Sequence, residues 1–306
     1  MNRLLFSLVA AFVALAQALP LPWLAWLGRQ LGALAWLLDW RHRRQALVNL
    51  DIALGASLPR SSREGLVFES FRRLGESCLS ALKTASMNAG ELGQRLQMVG
   101  LNKIRPWIDR SLVPGVVIVT GHFANIELYD ALARELPWMR MITVFRASTN
   151  PVIRRIMTHL RRDRRGEFFE AQTQTQELRA ALRDGNVILG LMGDTNPGPA
   201  GLSVPFFGHP VATSALPAVY ALRFRMPLYV AVCYRTAPAH WRVEISDEIP
   251  TRKAGHARPI SEILADLNLH LEQSIRRDPA NWFWQQPRWD HDGRVARRDR
   301  ARINAA

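Results

Sequence analysis

Residues 116–127 read Val-Val-Ile-Val-Thr-Gly-His-Phe-Ala-Asn-Ile-Glu, and the order of these residue types sets the fold class. Five β-branched residues in succession favour extended backbone, so 116–120 is expected as a strand. Gly121 permits a sharp turn and His122 follows it directly. Asn125 is a good helix cap, so a helix is expected over 125–136. His122 and Glu127 are five residues apart, and a continuous helix would turn about 500° between them. They can meet only if His122 sits in the turn before the helix, which the sequence supplies. In that position Glu127 would accept a hydrogen bond from one imidazole nitrogen, fix the tautomer and raise the basicity of the other. No Ser or Cys stands nearby in a recognisable elbow, so the pair suits direct attack by a substrate hydroxyl on an activated acyl group. A histidine that only caps a helix is the competing reading of this spacing.

Outward from this stretch, short β-rich runs alternate with helical ones. Strands are expected at 141–145, 168–169, 187–192 (VILGLM), 228–234 and 241–245, the last near a sheet edge. Helices are expected at 151–162, 174–183, 214–224 and 260–276. Another is expected at 60–85, where Leu66, Phe68, Phe71, Leu74, Cys78, Leu79 and Leu82 recur at helical spacing, with Ser61 or Ser62 as its cap. The alternation argues for an α/β sandwich with a mixed or mostly parallel central sheet flanked by helices. The expected divisions are an N-terminal membrane segment over 1–45, the α/β domain over 46–290 and a basic tail over 291–306.

Residues 4–28 carry no charged side chain, a run about long enough to cross a bilayer as a helix. Pro20 and Pro22 would end a continuous helix near Leu19, and Trp23 and Trp26 suit a membrane–water interface. A second apolar stretch, 31–40, is closed by Arg41, His42, Arg43 and Arg44. A cleaved signal peptide ending near Ala16-Gln17-Ala18 and a buried core helix are the alternatives. Apolar character resumes past the cleavage-like site, which favours an uncleaved membrane-anchor helix with an interfacial helix behind it. More positive charge follows the segment than precedes it, which keeps the remaining chain on the cytoplasmic side.

The formal charge is +14, and only Lys83, Lys103 and Lys253 among the 40 basic residues are lysine. Such an excess suits anionic partners such as lipid headgroups, phosphates or an acidic carrier protein, or is simply a solvated surface. There is no nucleic-acid reader motif, no HExxH and no Walker loop, and neither cysteine, Cys78 or Cys233, belongs to a CxxC pair. Nucleic-acid binding, zinc chemistry and a disulfide framework are therefore set aside.

Further blocks follow His122 in order: Val144-Phe145-Arg146 with Asn150-Pro151, the basic run at 161–165, Asp194 with Gly198, then Val204-Pro205-Phe206-Phe207-Gly208, and finally Trp282-Phe283-Trp284 with Arg288-Trp289. With Gly121-His122 through Glu127 as a His-x4-Asp/Glu motif, these blocks make 110–290 resemble the lysophospholipid acyltransferase superfamily. Within it the chain is most similar to the late acyltransferases of lipid A synthesis. The resemblance implies acyl transfer from acyl carrier protein, or acyl-CoA, to a hydroxyl of a membrane lipid acceptor. It implies His122 as base and Glu127 as its orienting partner, with no metal or redox cofactor. It places the enzyme at the bacterial inner membrane, catalytic domain on the cytoplasmic face.

Arg146, after a strand and before a Pro-bounded helix, is a candidate for a substrate phosphate, as is Arg164 in the basic run. Asp194 is a candidate for a place beside His122, where it would shape the acceptor site, or else a turn-forming aspartate. Phe206 and Phe207 are core residues or the wall of an acyl groove, and two of Trp282, Trp284 and Trp289 are expected in the core. Lysophospholipid acylation and lipid-ester hydrolysis by the same dyad are the alternative activities. One departure from the family pattern concerns the acceptor: Thr195 follows Asp194 where many relatives carry Gln.

Overall fold

In the computed structural model, which describes residues 3–109, 115–136, 138–145, 150, 152, 154–157, 166–170 and 174–289, four helices come first. They are α1 (Arg3–Ala18), α2 (Leu21–Leu38), α3 (Trp40–Leu54) and α4 (Arg60–Thr84). Then follow α5 (Ala89–Gly93), β1 (Leu96–Val99), α6 (Leu101–Asp109) and β2 (Gly115–Thr120). A 3-10 turn, Ile126–Ala131, runs into α7 (Leu132–Glu135), followed by β3 (Arg140–Phe145) and β4 (Glu167–Glu170). Next come α8 (Thr175–Arg183), β5 (Val187–Met192) and a hairpin of β6 (Leu202–Phe206) and β7 (His209–Thr213). The main domain closes with α9 (Leu216–Phe224), β8 (Leu228–Ala237), β9 (His240–Ile245) and α10 (Ile260–Arg277).

Seven strands form one sheet in the order β1-β9-β8-β2-β5-β3-β4. Every pairing in it is parallel except β8 with β9. All six residues of β2 are buried, as a strand covered on both faces requires. Alternate side chains of β2 serve opposite layers. Val117 and Val119 pack with Val67 and Phe71 of α4 and Leu264, Leu267 and Leu271 of α10. Val116 and Ile118 pack with Ile104 of α6, Leu128 and Leu132. The result is helix, sheet, helix, with the C-terminal ends of β2 and β5 side by side in the centre.

Several elements depart from expectation. The helix over 125–136 is a 3-10 turn plus one short helix. Helix α4 is capped at Pro59, ahead of Ser61 and Ser62. Strand β1 is only four residues long, too short for a visible period. The β6–β7 hairpin turns at Phe207 and Gly208, which both hold positive φ (52° and 75°), the backbone a tight two-residue hairpin needs. Of the helix expected over 151–162, most lies outside the described residues.

The N-terminal anchor is the main correction. No described helix is long and apolar enough to cross a membrane. The charge-free run is split at Pro20, α2 continues past it through Arg29, and the expected boundary at 45 falls inside α3. One face of α2 lies directly on α4. A Cβ at Gly28 would collide with the Gly75 carbonyl and one at Gly32 with the Phe71 carbonyl, so small residues set this close approach. Arg29 bonds Glu69 through both nitrogens (3.0 Å each) and reaches the buried Glu76 at 3.3 Å. Arg235 of β8 meets Glu76 from the other side at 2.8 Å. The opposite face of α2 and its flanks expose Trp23, Trp26, Leu31, Leu34, Leu37, Leu38 and Trp40.

Candidate active site

Strands β2 and β5 are neighbours in register, with Thr120 opposite Met192. Each is followed by one glycine and then a polar residue: Thr120-Gly121-His122 and Met192-Gly193-Asp194. The register continues one step past the strand ends, since the Gly193 N–H donates to the Thr120 carbonyl at 2.7 Å. His122 and Asp194 are thereby brought face to face at the C-terminal edge of the sheet, where functional loops of open α/β sheets gather.

The contact is specific. His122 Nδ1 lies 2.9 Å from Asp194 Oδ1, and the His122 main-chain N–H donates to Asp194 Oδ2 at 2.7 Å. Oδ2 also accepts from Trp282 Nε1 at 2.8 Å and from Gln286 Nε2 at 3.1 Å. Asp194 is fully buried, whereas the His122 side chain keeps 27% of its surface exposed. Both glycines are required by space. A Cβ at Gly121 would stand 2.8 Å from Asp194 Oδ2, and one at Gly193 would stand 2.6 Å from Val119 Cγ1.

Burial opposes charge on both partners, yet the pair and its hydrogen bonds win. Burial alone would raise Asp194, but the imidazole, the two bonds from His122 and the Trp282 indole hold it down to about 2. Burial alone would lower His122, but the Asp194 charge and hydrogen bond hold it above its ordinary value. An anionic carboxylate at Nδ1 requires a proton there, so the neutral ring carries its lone pair on Nε2.

The other expected residues fall as follows. Glu127 is buried in the 3-10 turn after His122, its N–H accepted by the side chain of the cap Asn125 at 3.2 Å. The carboxylate bonded to the ring is that of Asp194, not Glu127. Physically, the tight turn at Phe123–Asn125, with Ala124 at φ 43°, starts a 3-10 turn where a longer helix was expected, and the sheet register supplies Asp194 instead. Arg146 and Arg164 lie outside the described residues. Trp282, Trp284 and Trp289 are all buried, where two were expected, and Phe206 and Phe207 pack with them. Cys233 is fully buried, and burial pushes its thiol up to about 12, which rules it out as a nucleophile.

Trp282, Gln286 and Arg288 were not singled out as polar partners. The aromatic-rich C-terminal stretch was the visible signal, but it carries no hint of which donor meets which carboxylate. Arg288 is buried, donating to the Ala212 carbonyl (2.7 Å) and Thr213 Oγ1 (3.0 Å), with its guanidinium over the Phe206 ring. Burial lowers it to about 10, against the pull of nearby Asp194. Beside Arg288 a cavity of about 530 Å³ is lined by Ile52, Asn196, Pro199, Val211 and Trp289.

A family model described as bacterial lipid A biosynthesis acyltransferase matches residues 1–291. No curated protein matches the chain.

Proposed function

The chain belongs to the bacterial lipid A biosynthesis acyltransferase family and is an acyltransferase; from that premise we propose that His122 is its general base, that acyl carrier protein or acyl-CoA is its donor, and that a hydroxyl of a lipid A precursor or related glycolipid is its acceptor. The observation that carries this reading is the His122–Asp194 pair, with Nδ1 held by the carboxylate and the ring partly exposed. The acceptor hydroxyl donates to Nε2, which takes its proton as the oxygen attacks the thioester carbonyl. The tetrahedral intermediate collapses, the carbon–sulfur bond breaks, and the imidazolium returns the proton to the leaving thiolate. Buried Asp194 favours the imidazolium formed on the way, and positioned base catalysis of this kind contributes ~10²–10⁴-fold. Asp194 thus takes the orienting role expected of Glu127. Arg146 and Arg164 stay in the proposal as contacts to substrate phosphates.

The enzyme is proposed to rest on the cytoplasmic face of the inner membrane. The exposed Trp and Leu side chains of α2 would enter the lipid, and Arg41 and Arg44 at the start of α3 would meet anionic headgroups. The decisive assay incubates labelled acyl donor with lipid acceptor and analyses the lipids by mass spectrometry. His122→Ala is expected to fold and to lose formation of the heavier, acylated lipid. Full transfer by that variant would reject His122 as the base. Release of free fatty acid with no acylated lipid by the unmodified enzyme would favour ester hydrolysis instead.

A further inference from the structure

After α10 the chain runs back past His122 as a strap, residues 278–289. It is tied to the catalytic turn along its length. The Ala124 N–H donates to the Asn281 carbonyl (3.1 Å), and the Phe283 N–H donates to the His122 carbonyl (3.1 Å). From the other side, Asn49 of α3, fully buried, donates to the carbonyls of Trp284 (2.7 Å) and Gln286 (2.6 Å). Between these anchorages two strap side chains, Trp282 and Gln286, end on the same atom, Asp194 Oδ2.

That convergence has a chemical result. A carboxylate can rotate about its Cβ–Cγ bond and offer either oxygen to the ring. Here Oδ2 already serves three donors, so Oδ1 alone is left for His122 Nδ1. We infer that Trp282 and Gln286 are positioning residues of the acyl transfer: by occupying Oδ2 they lock the Asp194 carboxylate and, through it, the tautomer and aim of His122. Bulk alone does not account for Trp282. Its ring is satisfied edge-on against Trp284 (4.7 Å between centroids) and near Phe206 and Trp289, yet its Nε1 is also turned to the carboxylate. Gln286, an uncharged donor, binds the carboxylate without bringing a cation that would compete with the imidazolium.

The inference rests on His122 being the base, and the test separates the two. Trp282→Phe keeps an aromatic ring and removes one donor; Gln286→Leu removes the other. Each is made in the wild-type chain and in Asp194→Asn, and kcat, KM and the pH dependence of kcat/KM are measured with labelled acyl donor, using long incubations for the slow variants. Each is expected to lower kcat ~10-fold, in keeping with loss of a hydrogen bond to a charged group, with KM within about twofold and a displaced acid limb in the pH profile. In the Asp194→Asn background, where the same donors hold the amide oxygen and keep the unproductive tautomer, neither is expected to lower kcat further by more than about twofold. Undiminished kcat in both single variants, or the same factor lost with and without Asp194, would overturn the inference. If Trp282→Phe does not fold, Gln286→Leu decides alone. An active His122→Ala enzyme would instead remove the base assignment on which the inference stands.

Discussion

Replacing Asp194 by Asn changes one atom and tests the centre of the site. Three donors converge on Oδ2, so the Asn amide oxygen must stay there to satisfy them. The amide NH₂ then faces His122 Nδ1, which can only accept, and the ring proton is driven to Nε2, the position that must take the hydroxyl proton. The drop of Asp194 from 3.8 to about 2 corresponds to roughly 2–3 kcal/mol favouring the charged form in its folded surroundings. Removing that preference and inverting the tautomer is expected to lower kcat by ~10²–10⁴-fold, the range found when a base loses its orienting carboxylate.

The pH dependence has a definite sign. With His122 as the proposed base, catalysis needs its neutral form, and because its pKa is held above the ordinary 6.5, kcat/KM is expected to rise with pH through that raised value. In Asp194→Asn the supporting charge is gone while burial remains, so the acid limb moves to lower pH although the plateau falls. For stability, the contribution of the depressed Asp194 is present above its unfolded pKa and is lost as pH falls through about 2. That of His122 is complete below 6.5 and is lost as pH rises through its raised folded value. The assay is acyl transfer from pH 5 to 9 (roughly, spanning the ordinary His pKa), with circular dichroism confirming the fold. An Asp194→Asn enzyme with near wild-type kcat and an unmoved acid limb would refute the reasoning.

Gly121→Ala places a methyl 2.8 Å from Asp194 Oδ2 and 2.7 Å from the Phe123 ring, and is expected to cut kcat more than about tenfold by spreading the pair, with a smaller effect on the thermal midpoint. Gly75→Val, whose Cβ would strike the Gly28 carbonyl, is expected to destabilise the fold by ~1–3 kcal/mol or more through separation of α2 from α4, read by denaturant titration. The pair Trp23→Ser and Trp26→Ser is expected to weaken sedimentation with anionic vesicles while leaving the folded helix content unchanged, since both side chains point outward; unaltered vesicle binding would take these residues out of the lipid contact.

Most strands of the main sheet were legible because β-branched runs such as 116–120 announce themselves locally, and so was the place of His122 in the turn after the first of them. Its partner was less so. Asp194 was expected beside His122 as a residue shaping the acceptor site, but its bond to the ring depends on β2 and β5 being adjacent and in register, a relation between segments more than sixty residues apart. The shared Gly-polar ending of the two strands was the available clue. The packing of the N-terminal run on α4 was not legible, because hydropathy does not distinguish a face turned to lipid from one turned to protein. The clue there was Gly28 and Gly32, spaced by four, whose missing side chains admit another helix. The donors on the strap were not legible, since which indole or amide meets a carboxylate depends on a chain path with no periodic signature.

The grip of α4 on α2 bears on how the enzyme can be prepared. A truncated chain beginning after residue 45, the natural choice for a soluble version, would strip Arg29 from Glu69 and Glu76 and leave the buried Glu76 with Arg235 as its remaining cation. Removing one member of a buried ion pair typically costs ~3–5 kcal/mol, and the glycine-lined face of α4 would be bared to solvent as well. Solubility is better sought by rewriting the outward side chains Trp23, Trp26, Leu37 and Leu38, with Gly28, Arg29 and Gly32 left intact.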